Sequence, residues 1–417
     1  MINKTNATSY YFFLLIFYSF IFQDLLDNYI SIFSYLDELF AILAFPIVLY
    51  RLSNNGWKIS RERNGYKSIL IYIFLFSCVG IAGNIIYDYQ LFFKAVLPDL
   101  LINLKFWLAM YVSMIAFKHI DIEKYGKKIG NHVRFVVFVF ITLTIIDNIL
   151  NIFPSTIRYG LRSAQLFYNV PTAYAAICAF LLALIMLTRK QNSNSNYYAI
   201  IVMLLMASTL RVKAFGSILL FFIIYYVIYV FKSKIRIRHI ILLMLAGLVV
   251  GWSQIQYYFF SEISDTAARN LLLRECFKIA NDHFPTGTGF GTFASHYSSV
   301  EYSPIYEKYG LSTVYGLTKN NPVFISDSFW PMVIGQNGYV GLVLFCLAII
   351  ELFKEIQKLA EIDKDCYMAT SFSLAYICVA SLAESAFVAP ITMPMAIVFG
   401  LAFNKKDKAM KVLDKFK

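Results

Sequence analysis

Residues 214–231 read AFGSILLFFIIYYVIYVF, a run without one charged side chain, followed at once by Lys232, Lys234, Arg236 and Arg238. A bilayer's hydrocarbon core, about 30 Å thick, takes roughly 20 apolar residues as a helix, with about 17–25 as the working range. Basic residues crowding one end mark the cytoplasmic side, where positive charge is retained. A span with a defined orientation is the simplest reading of this stretch.

The pattern recurs along the chain. Runs at 10–32, 35–50, 68–87, 96–117, 134–153, 170–188, 197–211, 214–231, 239–260, 328–350, 367–388 and 390–403 are candidate spans. Those at 35–50, 197–211 and 390–403 are short, and the last contains Pro394. Composition agrees: of 417 residues, 59% are hydrophobic and 15% charged, against about 45–50% and 25% in soluble domains. Water-soluble and disordered classes are excluded, because neither hides or tolerates 39 Phe and 30 Tyr. The expected fold is an all-α polytopic membrane protein of about 12 transmembrane helices, with one long, partly helical outward loop. Residues 1–260 would hold nine spans, 261–327 the loop, and 328–417 three spans and a cytoplasmic tail.

The net charge of +12 suggests nucleic acid until its placement is examined. With the N-terminus inside, 26 of the 37 Lys and Arg fall on the seven cytoplasmic segments and 10 on outward ones, with Lys105 inside a span. Such a split is the positive-inside bias, so both termini are expected in the cytoplasm and 261–327 outside. Four of the six Cys lie in apolar runs, Cys366 in a charged loop, and only Cys276 in the long polar segment, so no disulfide framework is expected there. Lys4 precedes an apolar run with no small-residue cleavage site after it, which reads as a retained first helix.

Residues 261–327 stand apart, because every other loop is short and long loops in compact proteins usually carry function. Ile263, Ala267, Leu271, Leu272, Cys276 and Ile279 recur at near-helical spacing, which predicts an amphipathic helix over about 262–281 lying on the outer membrane surface. The loop's aromatics include Tyr315, a candidate substrate contact. PTGTGFGTF, with Gly287, Gly289 and Gly291, lacks the spacing and the Lys of a phosphate loop, and reads as a tight turn back to the membrane. The five His include no metal-ligand spacing, so neither metal nor cofactor is expected.

Charges near the outer face carry the chemistry. Arg211 lies in the short turn STLRVKAFG, and Arg269 and Arg274 lie on the amphipathic segment. Guanidinium groups grip phosphate oxygens two at a time, which suits a lipid pyrophosphate, while the plain alternative is snorkelling to the headgroups. Asp99, Asp147, Glu384 and Asp327 recur at the same level, Asp327 where the loop returns into the membrane. Each is a candidate general base, a sugar-hydroxyl ligand, or an ion-pair partner for an Arg.

Three stretches resemble the bacterial O-antigen polymerase (Wzy) and O-antigen ligase superfamily, membrane glycosyltransferases of the GT-C type. ASTLRVKAF is similar to the family's S-R-(G/A) turn, with Leu210 in place of Ser before Arg211. DTAARNLLLRECFKIANDHFPTGTGFGTF resembles the family stretch in which an Arg, here Arg269, opens a helix leading to a glycine-rich turn. SDSFWPMVIGQNGYVGLVLF resembles the segment ending in E-x-G-h-h-G, with Gln336 for Glu, then Gly338 and Gly341. The ligases carry a His-Asn pair where Asp327 and Ser328 stand, a departure that favours polymerase.

The resemblance implies transfer of a growing glycan from undecaprenyl pyrophosphate to the next lipid-linked repeat unit, without a metal and with inversion. Arg211 and Arg269 would stabilise the leaving pyrophosphate and Asp327 would take the acceptor proton, with Arg274, Asp147, Glu384 and Tyr315 contacting substrate. It implies a bacterial inner-membrane location, lipid partners, a chain-length regulator and a flippase, and no nucleic acid. The alternatives are an O-antigen ligase acting on lipid A–core, and a flippase or transporter. The second is disfavoured by unusual charges gathered on one side of one half.

Overall fold

The structure, a computed structural model, describes residues 2–54, 64–236 and 267–413, with isolated positions at 238, 239, 245, 249, 252 and 256. About 74% of it is helical. In order, the elements are α1 (Ile2–Ile21), α2 (Gln23–Asp27), α3 (Leu36–Asn54), α4 (Asn64–Tyr87), α5 (Leu97–Ala116), α6 (Ile122–Leu150), the hairpin β1 (Ile157–Arg158) and β2 (Leu161–Arg162), α7 (Pro171–Leu187), α8 (Ser195–Ser208) and α9 (Val212–Tyr225). They continue with α10 (Ala268–Asp282), α11 (His296–Val300), α12 (Ile305–Lys308), α13 (Phe329–Leu359), α14 (Lys364–Ala380) and α15 (Met393–Leu413).

Six helices among the described residues are long and apolar enough to cross a membrane: Ser31–Tyr50, Gly65–Tyr87, Phe92–Ala116, Ile122–Leu150, Val212–Val230 and Phe329–Leu359. Their outer faces leave large apolar side chains uncovered, Phe74, Phe138 and Ile149 among them. Contiguous apolar surface of this kind is what lipid covers. The chain is a helical membrane protein. Most of the expected span at 239–260 and the first turn of the expected helix at 262–281 lie outside the described residues.

Helix boundaries depart from the apolar runs where polar residues intervene. The run at 10–32 breaks after Ile21, and Gln23, Asp24 and Asp27 form the separate short α2. Helix α6 starts at Ile122, well before its apolar run, because the Asp121 carboxylate accepts the Glu123 N–H at 3.0 Å and caps it.

At the centre stands α7, PTAYAAICAFLLALIML, apolar on every side and buried along almost its whole length. A helix without a polar face belongs in a core. Its five Ala let neighbouring helices approach closely, and α6, α8 and α14 pack around it. Lys105, midway along α5, is fully buried and pairs with Asp37 on the first turn of α3, with the Glu38 carboxylate 3.7 Å away. An intramembrane charge is tolerated when a partner neutralises it, and this pair ties α3 to α5.

The glycine-rich stretch is more than a turn. Residues 288–295 are buried, wedged between α4, α5 and α13. Gly338 breaks α13 with φ 62° and ψ −168°, and the break frees backbone acceptors ahead of it. Gly335 and Gln336 carbonyls accept the N–H groups of Thr288 (3.0 Å) and Gly289 (2.8 Å). On the other side Asn84 of α4 clamps Phe290, donating to its carbonyl at 2.9 Å and accepting its N–H at 2.8 Å. Asp99 of α5 accepts the Gly291 N–H at 2.8 Å. Gly289, at φ 91°, lies against Asn84, leaving no room for a Cβ.

Candidate functional site

Helix α10 carries Arg269 in its first turn. The expected amphipathic character is present, but the apolar face is covered by protein: Leu272, Cys276 and Ile279 are fully buried as α10 packs on α13. That corrects the expected berth of this face on the membrane surface. The burial fixes the helix and leaves Arg269 at its start, where Nη2 lies 3.0 Å from Asp327 Oδ2. Both side chains are about one third exposed.

Two further elements converge there. Ser385 donates its hydroxyl to the Ser326 carbonyl at 2.7 Å, so the turn after α14 that carries Glu384 is fastened beside Asp327. Glu384 forms an ion pair with Lys213 of the first turn of α9. Lys213 also feels the charges of Arg269 and Arg211. Through Lys213, two arginines 58 residues apart in sequence are brought to one locality. Arg211 is the N-cap of α9, with φ −96° and ψ 132°. Burial, then the neighbouring charge of Arg158, lowers its pKa from the ordinary arginine value.

Of the residues singled out in the sequence, Arg269 pairs with Asp327, and Glu384 pairs with Lys213, two residues from Arg211. Three other candidates are engaged elsewhere. Asp147 is buried and accepts from Arg162 Nη2 at 3.0 Å and from the Phe153 N–H at 2.7 Å, so it anchors the hairpin. Arg274 pairs with its neighbour Glu275 at 3.1 Å. Tyr315 is exposed and lies edge-on to Phe324, with ring centroids 6.0 Å apart.

Sequence reading missed Lys213 and Arg158. Both lie in outward segments and entered only a charge count. Lys213 sits two residues from Arg211 in a turn too short to separate them, a signal that was available. Arg158 is brought near only by the hairpin, which no local spacing foretells.

Among the described residues the ensemble has four cations, Arg158, Arg211, Lys213 and Arg269, against two carboxylates, Asp327 and Glu384. A surplus of fixed donors at a partly buried surface stabilises anions, and a carboxylate beside it can accept a proton. Compared with known protein families and with curated proteins, the chain matches none.

Proposed function

We propose that the chain is a membrane glycosyltransferase of the O-antigen polymerase type, joining undecaprenyl-pyrophosphate-linked oligosaccharide repeats into a surface polysaccharide. The observation that carries the reading is the convergence of Arg211, Lys213 and Arg269 around Asp327 and Glu384, from segments that resemble the superfamily's motifs. In this reading the incoming donor pyrophosphate competes with Asp327 for the Arg269 guanidinium. An acceptor hydroxyl attacks the anomeric carbon as the bond to the phosphate oxygen breaks. The electron pair goes to the pyrophosphate, held by the arginines, and the hydroxyl proton goes to Asp327. About 12 spans, both termini in the cytoplasm and residues 261–327 outside belong to the same proposal, as do a bacterial inner-membrane location, a flippase and a chain-length regulator.

The test is deletion of the gene and analysis of what accumulates. Loss of a polymerase leaves single lipid-linked repeats and no long chains. Long polymer remaining on the lipid carrier would instead identify a ligase, and an unchanged polysaccharide profile would refute both.

A further inference from the structure

The hairpin β1–β2 is a small element fixed with unusual care. Its turn has Tyr159 at φ 52° and Gly160 at φ 73°, the paired positive angles of a two-residue primed turn. One end is anchored by Arg162, which donates to Asp147 and to the Phe153 carbonyl. Next to it the Thr156 and Ser163 hydroxyls lie 2.9 Å apart, and the Ala164 N–H donates to the Ser208 carbonyl of α8 at 2.8 Å. The hairpin is therefore docked on the α8–α9 turn, with Thr156, two residues before Arg158, 3.5 Å from Arg211, close enough for the charge of Arg158 to bear on Arg211.

Two like charges held together are unfavourable without a counter-charge. Among the described residues neither Arg158 nor Arg211 has a carboxylate partner, and the single described hydrogen bond of the pair is Arg211 Nη2 to Thr156 Oγ1 at 3.5 Å. The Arg211 Nε is buried and unsatisfied. Around these donors the hairpin is apolar and uncovered: Ile157 is 79% exposed, Tyr159 73% and Leu161 61%. Apolar side chains with arginines between them match the boundary between acyl chains and phosphates, where aromatic and basic residues settle.

We propose that Arg158 and Arg211 form a clamp for a lipid-borne diphosphate, with the hairpin lying in the outer headgroup layer and admitting the lipid sideways from the bilayer. The clamp deepens the function proposed above and rests on it. Two adjacent guanidinium forks match the two phosphates of a diphosphate, whereas a single lipid phosphate satisfies one. Arg158 is then a further phosphate-binding residue beside Arg211, and Arg269, shared with Asp327, meets the phosphate next to the sugar.

The experiment uses the full-length protein in nanodiscs and measures binding of undecaprenyl diphosphate, with phosphatidylglycerol and inorganic pyrophosphate as competitors. Arg158→Gln is expected to weaken binding about tenfold to a hundredfold, the range for losing charge-assisted hydrogen bonds. Arg158→Lys, which keeps the charge but not the fork, should recover only part of it. Inorganic pyrophosphate should compete weakly and phosphatidylglycerol hardly at all. Unchanged binding by Arg158→Gln, or equal competition by phosphatidylglycerol, would overturn the clamp. If Arg158→Gln binds normally while Arg211→Gln and Arg269→Lys stop polymerisation, the clamp alone is wrong. If the wild-type protein does not bind the diphosphate, the functional reading fails with it.

Discussion

Arg269 and Asp327 face each other across 3.0 Å, one at the start of α10 and the other at the threshold of α13. The long segment between them folds back on itself through the buried glycine-rich loop, so its two ends meet at this ion pair. Asp327 is held by a cation that an incoming phosphate would claim. In the proposed function this would couple donor binding to release of the carboxylate.

Replacing Arg269 with Lys keeps a positive charge near Asp327 and loses the two-pronged grip on phosphate. Donor affinity and turnover should both fall, by roughly one to two powers of ten, the span of losing a charge-assisted hydrogen bond. Steady-state kinetics with a lipid-linked repeat checks this. A fall in turnover with unchanged donor affinity would remove Arg269 from phosphate binding.

The Lys213–Glu384 pair makes a different prediction. Lys213 is only 11% exposed, so Glu384→Gln leaves a nearly buried ammonium without its partner. Breaking such a pair costs about 3–5 kcal/mol, whereas replacing both members by apolar or neutral groups costs far less. Melting in detergent should therefore drop for Glu384→Gln and recover in Glu384→Gln with Lys213→Met. A double variant as unstable as the single one would show that the pair is not the source of the loss.

The buried loop should be intolerant of side chains at its tightest glycine. A Cβ at Gly289 would meet Asn84 at 2.4 Å, in a backbone conformation that L-residues avoid. Gly289→Val should fail to yield a protease-resistant protein. Asn84→Ala removes both partners of the Phe290 backbone, and at about 1–3 kcal/mol for each buried group left unsatisfied it should melt at a markedly lower temperature. Wild-type melting of Asn84→Ala would contradict the clamp.

On the opposite side, Asp363 caps α14, accepting the Asp365 and Cys366 N–H groups at 2.9 and 3.0 Å. Burial pushes its carboxyl up, but Lys405, the Cys366 N–H and Lys190 together outweigh burial and hold it at about 2. A carboxyl depressed in the folded state stabilises fully above its unfolded pKa of about 4, and the contribution fades as pH falls from there towards 2. Wild-type melting should decline over that window. Asp363→Asn should be less stable at neutral pH and decline less, and parallel pH profiles would contradict the assignment.

Much of this architecture is written in the chain. Apolar runs give the helices, because lipid forces every backbone group to bond within its own segment. Arg211, Arg269, Asp327 and Glu384 are legible because charge beside a span is costly enough to need a reason. What the chain hides is long-range. Nothing local to Gly338 says that its break will accept Thr288 and Gly289, and nothing in Tyr159 or Gly160 says that their turn will bring Arg158 to Arg211. Asp147 misleads for a similar reason: its position resembles that of the other acids, and only the fold reveals Arg162 as its partner.

The central claim is tested most directly by purified protein in proteoliposomes supplied with an undecaprenyl-pyrophosphate-linked repeat unit. The account predicts a ladder of lengthening glycans and release of lipid pyrophosphate. With Asp327→Asn it predicts a rate lower by about 10²–10⁴-fold, the contribution of a general base, while the protein still inserts and binds its donor. A normal ladder from Asp327→Asn would remove Asp327 from catalysis. No ladder from a folded, donor-binding wild-type protein would contradict the account.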